Sequence, residues 1–197
     1  AEIAATQDKA RQARLLGEAG EIAEGEGDEP TAARDYLAAF NADPTFREPL
    51  EALVRLLERR RSLKNLGRVI DALVRGAQTP SEKARALVMR AAYAEDVQGD
   101  VEVAKGSALE ALAATKESET DVPEQGTVAL TLELLAAKLG DAALREEGLS
   151  LRTKNAADPT WKGLLLLDIA QMAAAQGEVE RALAIYDEAR ALGSQAT

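Results

Sequence analysis

Five dipeptides punctuate the chain at nearly even spacing: Gly27-Asp28, Arg61-Ser62, Gly99-Asp100, Gly140-Asp141 and Gly177-Glu178. The intervals are 34, 38, 41 and 37 residues. Each holds two helices of about 12 to 15 residues and two short loops. A second echo agrees: Asp43-Pro44-Thr45-Phe46 returns 115 residues later as Asp158-Pro159-Thr160-Trp161, and in both a helix-stopping proline precedes a new helix. A period of this length decides the architecture by itself. It predicts five helix pairs, with approximate bounds 5–46, 47–78, 80–116, 123–157 and 159–192, in one domain over 1–197.

Composition selects helix over sheet. The chain has 41 Ala and 27 Leu against 10 Val and 5 Ile, and the first two residue types lose least on entering a helix. Apolar positions then fall at helical spacing. Leu16, Ala19, Gly20 and Ala23 are answered across a turn by Ala32, Tyr36 and Ala39, and Ile169, Ala170 and Ala173 by Val179, Ala182, Tyr186 and Ala189. Small residues let antiparallel helices approach while an aromatic fills the space beside them. Thr79-Pro80-Ser81-Glu82 reads as an N-cap, a first-turn proline and a capping-box acid, and Asp121-Val122-Pro123-Glu124 repeats that logic. The latter lies within a candidate loop from Lys116 to Gly126, where Ser118 and Thr120 read as loop polarity rather than phosphorylation sites.

Cysteine and histidine are both absent. That removes disulfides, thiolate nucleophiles, histidine-based triads and metal sites built on those ligands. No cofactor is expected. The 34 acids and 24 bases give a net charge of −10, which disfavours chain-wide attraction to nucleic acid or anionic membrane. The longest leucine run, Leu164 to Leu167, is far short of the roughly 20 apolar residues that span a bilayer, so no membrane insertion is expected. Cytoplasmic residence is the default expectation. The first residue is Ala rather than Met, consistent with a piece of a larger chain.

The helix-pair signature resembles the tetratricopeptide repeat family. Leu16, Gly20, Ala23, Ala32, Tyr36, Ala39 and Pro44 look like its small-and-aromatic pattern, and the stretch from Gly177 to Ala189 looks like one of its second helices. The resemblance implies an all-α fold, a right-handed α-α superhelix or solenoid of about five tetratricopeptide-like helix pairs. It also implies a groove, lined by the first helix of each pair, that binds peptides, helices or domains. Projected onto this sequence, the groove begins with Arg14, Gly17, Glu21 and Glu51 and continues through Arg55, Glu58, Met89, Tyr93, Asp96, Thr127, Leu130, Leu134, Leu167 and Gln171. The family's carboxylate clamp is not matched. Glu95 and Glu133 stand where the family buries a first-helix residue, and Arg145 and Arg152 where it places small ones.

Three features compete for a functional role. Met89, Tyr93, Leu130, Leu134 and Leu167 could form an apolar docking groove, or a stripe buried between repeats. Residues 51–75 carry 7 bases and 3 acids. Within this zone Arg59, Arg60, Arg61, Lys64 and Arg68 could meet an acidic partner, or could gather where a helix ends. Carboxylate pairs such as Asp28/Glu29 and Glu146/Glu147 read as solvated faces. Trp161 and Phe46, following matching tripeptides, are expected to be buried between repeats. The reading is a non-catalytic interaction scaffold whose partner is another protein. The alternatives are a self-associating segment of a longer repeat protein and, less favoured, a carboxylate- or metal-dependent helical enzyme.

Overall fold

The computed structural model describes residues 8–117 and 123–193. Among these residues there are ten α-helices and one π-helical turn, and no strand. The helices are α1 Lys9–Gly25, α2 Glu29–Ala42, α3 Glu48–Arg59, α4 Leu63–Arg75 and α5 Pro80–Tyr93, the last running into the π turn Ala94–Gln98. They continue with α6 Val101–Lys116, α7 Gln125–Leu139, α8 Ala142–Asn155, α9 Pro159–Ala175 and α10 Val179–Gly193. Part of the expected Lys116–Gly126 loop, including Ser118, Thr120, Asp121 and Val122, lies outside the described residues. None of the described helices is long and apolar enough to cross a membrane.

The turn signals mark one recurring backbone device. Among the described residues, left-handed φ values occur at Gly27 (82°), Arg61 (52°), Gly99 (67°), Gly140 (65°) and Gly177 (82°). These are the first members of the five dipeptides. After four of them, the N–H of the second member donates to the carbonyl five residues back: Asp28 to Ala23, Ser62 to Leu57, Asp141 to Ala136 and Glu178 to Ala173. That closure satisfies a carbonyl left over at a helix end. At the third turn the bond runs from Asp100 to Ala94, one residue longer, because the π turn inserts a residue before Gly99. Asp28, Asp100 and Asp141 then cap the next helix through bonds to the N–H groups of Thr31, Val103 and Leu144 at 3.2, 3.0 and 3.0 Å. At α5 the expected capping box forms with its acid reaching one residue further back. Thr79 Oγ1 accepts from the Glu82 N–H at 3.2 Å, while Glu82 accepts from the Gln78 N–H at 2.8 Å.

The helices group into two compact units that divide between Arg90 and Ala91. In the first, α1 packs on α2, α2 on α3, α3 on α4, and α1 also touches α3. Ala32, Tyr36, Leu50, Leu56, Ile70 and Leu73 are all at most 2% exposed. Gly20 is what lets α1 meet α2, since a Cβ there would stand 2.6 Å from the Tyr36 ring. Arg47, only 7% exposed, donates to the Leu73 carbonyl at 3.0 Å and lies 3.5 Å from Glu82, so a buried guanidinium serves the carbonyl end of α4.

In the second unit α6 packs on the π turn and on α7, α7 on α8, α8 on α9 and α9 on α10. Its core is more alanine-rich and includes Ala104, Ala108, Ala111, Val128, Ala129, Leu132 and Leu135. Leu149, Leu165 and Ile169 form a cluster against which Ala156, Met172 and Ile185 pack. Two of the departures from the family pattern pair with each other, and a third takes a lysine. Arg152 donates to both Glu133 oxygens at 3.0 and 2.9 Å, and Glu95 makes an ion pair with Lys138. Gly148 accommodates the Glu133 stem, since a Cβ there would stand 2.8 Å from Glu133 Cγ and 2.9 Å from the Ala129 carbonyl oxygen.

Candidate interaction faces

In the first unit, first helices α1 and α3 enclose a cavity of about 440 Å³. Its apolar floor is made by Gly17, Tyr36, Phe46, Pro49 and Ala52. Gly17 leaves this space open: a Cβ there would come within 3.2 Å of the Phe46 ring. Arg14, Glu18, Glu21, Glu48, Glu51 and Arg55 stand around it. Of the positions projected from the sequence, Arg14, Gly17, Glu21, Glu51 and Arg55 line this cavity, and Glu58 is exposed one turn further along α3. Sequence reasoning missed Phe46 and Pro49 as lining residues. Their signal is the proline-containing entry to α3, which aims both side chains at the glycine face of α1.

Tyr36, one of the lining residues, is tied into a charged network. The Tyr36 hydroxyl donates to Glu24 Oε2 at 2.8 Å, and Arg59 donates to the other Glu24 oxygen at 2.9 Å. The Tyr36 hydroxyl and then Arg59 hold the Glu24 carboxyl below its usual range, against an opposing effect of burial. Burial, followed by the bond to Glu24, pushes the Tyr36 phenol well above its ordinary value. Arg59 also reaches Glu29 at 3.2 Å, and Arg60 reaches the same carboxylate at 3.4 Å. Two of the five cations in the proposed basic patch are therefore matched by acids of the preceding helix pair. Arg61 occupies the left-handed turn position, and Lys64 is exposed on α4.

Arg68 lines a different cavity, of about 560 Å³, on the second-helix side of the first unit. There Ala33, Leu37, Phe40 and Asn41 from α2 face Asn65, Val69 and Ala72 from α4. This cavity was not anticipated. Leu37, 46% exposed, and Phe40 lie one turn apart on the flank of α2 beside Tyr36, a spacing that could have indicated it.

The second unit presents apolar side chains. Thr127, Leu130 and Leu134 lie on one face of α7, all exposed, and the two leucines are 53% and 56% exposed. These leucines belong to the open surface rather than to a buried stripe. Leu167 is half-buried on α9 with Gln171 exposed one turn later, Tyr93 is half-buried and Asp96 exposed. Met89, the last of the apolar set, is half-buried on α5 in the first unit. Leu164 and Leu167 share a cavity of about 400 Å³ with Tyr186, Ala189 and Arg190.

One expectation is overturned. Trp161 is 46% exposed rather than buried, and the Arg152 guanidinium lies 5.3 Å from its ring centroid. The motif shared with Phe46 fixes the start of a helix, but burial depends on the opposing surface. Phe46, half-buried rather than fully buried, meets Gly17, while Trp161 meets an arginine that its indole face can attract.

Among the described residues, no group of three or more acids could hold a metal ion. No protein-family model matches the chain, and no curated protein matches it by sequence. Solved structures do match in fold. MamA aligns at 15% identity and TM-score 0.55 over 93% of this chain and 92% of that one. BtubC from P. vanneervenii aligns at 17% identity and TM-score 0.54 over 95% and 82%. The RS-1 MamA ArsTM double mutant aligns at 15% identity and TM-score 0.53 over 96% and 97%. These are tetratricopeptide-like helical repeat proteins, and the present chain has the same tetratricopeptide-like, all-helical fold.

Proposed function

We propose that this chain is a non-catalytic interaction scaffold that holds a peptide, helix or folded domain of another protein against the outward faces of its first helices. The supporting observation is the cavity between α1 and α3, whose lining includes five positions projected from the repeat pattern. The exposed Leu130 and Leu134 support the same reading on α7. Fully burying a leucine is worth about 1.5 to 3 kcal/mol, and ordering a flexible peptide costs about 1 to 2 kcal/mol per residue. A preformed helix or domain loses less on docking and is the better ligand. Affinity capture with the intact chain tests this reading when repeated with Glu21→Arg and with the Leu130→Glu/Leu134→Glu pair. Loss of one captured protein with either variant supports it, and capture indifferent to both contradicts it.

Self-association is a second reading, favoured by exposed apolar side chains on the last helix pair. Leu164, Val179 and Leu183 are 51%, 60% and 59% exposed, a density of apolar surface that marks contact sites. Sedimentation distinguishes the two, since a strict monomer at high concentration removes self-association.

A further inference from the structure

Resting on the scaffold reading, we propose that the cavity between α1 and α3 selects partner segments that present Lys or Arg side chains. Its floor is apolar and includes the Phe46 ring, and four glutamates stand around it against two arginines. Among the described residues Glu18, Glu21 and Glu48 make no ion pair, and all three are exposed. Glu51 lies 3.5 Å from Arg85. Arg14 and Arg55, both exposed, stand at the same rim, so the four glutamates leave it with an excess of two negative charges. An apolar floor beneath unpaired carboxylates matches the two halves of a long cationic side chain. The methylene stem lies on Phe46 and Pro49, and the charged head reaches the rim. An aromatic ring at the floor adds attraction for the cation, whereas an acidic segment would bring like charges together.

The test uses the whole chain and three fluorescein-labelled peptides of about twelve residues, alternating leucine with Lys/Arg, with Gln or with Glu. Binding is followed by fluorescence anisotropy. The basic peptide is expected to bind best and to weaken as salt rises from about 50 to about 300 mM. Glu18→Gln/Glu21→Gln/Glu48→Gln is expected to weaken it by about tenfold or more, while Glu110→Gln/Asp168→Asn/Glu188→Gln, which removes the same charge from exposed positions of the second unit, changes it by less than about twofold. Equal weakening by both triple variants overturns the proposal, because the protein's overall negative field would then account for binding. Equally tight binding of the Gln peptide also overturns it. So does a salt-sensitive dimer that the first triple variant abolishes, because the basic zone of a second copy would then be the occupant. If the peptides fail while capture still depends on Leu130 and Leu134, the scaffold reading stands and this inference alone falls.

Discussion

The two units build the same helix pairs and finish them with opposite surfaces. In the first, Gly20 and Tyr36 close α1 on α2, leaving an outward face with carboxylates around an aromatic-floored cavity. In the second, Glu133 and Arg152 settle a polar pair inside the repeat, and leucines face outward on α7. The contrast separates two sets of positions. Inward positions and turns are fixed by geometry, because a helix can approach only as closely as its smallest side chain allows. Outward first-helix positions carry no such demand and are available to specify a partner.

The sharpest way to break this comparison is to deny each unit its close approach. Gly20→Val would drive a branched side chain into the Tyr36 ring, and Gly148→Val would meet the Ala129 carbonyl, which cannot swing away. Each is expected to cost about 3 kcal/mol or more, the upper range for overpacking a tight site. Thermal unfolding measures this, and native-like stability of either variant would show that the interhelical spacing is adjustable.

Next in size is Arg47→Met. It fills a similar volume but removes the donor to the Leu73 carbonyl and leaves that acceptor and Glu82 without their cation. A loss of about 2 to 3 kcal/mol is expected in urea unfolding.

Tyr36→Phe is smaller and depends on pH. The hydroxyl bonds to a partly exposed carboxylate, so a loss of about 1 kcal/mol is expected at neutral pH. The Glu24 carboxyl titrates lower in the folded protein than in the unfolded chain, where its ordinary value is 4.5. Its contribution is therefore complete above that value and disappears as pH falls through the lowered folded value. The gap between variant and parent should close in acid; a gap constant from pH 7 to pH 3 would remove Glu24 from the account.

The smallest effect has the opposite sign. Arg61 holds the left-handed position that glycine holds at the other four turns. Arg61→Gly is expected to stabilise by up to about 1 kcal/mol, because a side chain in that conformation is strained.

Four of the five turns were legible because each leaves two marks, a glycine for the left-handed position and an acid beside it, which in three of them caps the following helix. Arg61-Ser62 carries neither mark, and Ser62 makes no side-chain capping bond, so only the repeat spacing located it. The helical class and its pairing rhythm were legible for the same local reasons. Other properties depend on what a distant residue supplies. Glu24 and Glu29 partner Arg59 from 35 and 30 residues away, so a basic run in sequence became a set of contacts between helix pairs. Trp161 met Arg152 instead of a gap between helices. The cavity lining was half legible: Arg14, Gly17, Glu21, Glu51 and Arg55 follow from the repeat, but Phe46 enters from the connection before α3 and Pro49 from that helix's first turn.

The most direct test of the central claim is amide hydrogen exchange across the whole chain, with and without a captured partner protein. Docking on first-helix faces predicts slowed exchange in α1 and α3, in α7 and α9, or in both sets, with α2, α4 and α8 unchanged. Slowing confined to those second helices, above all around Leu37 and Phe40, would contradict it.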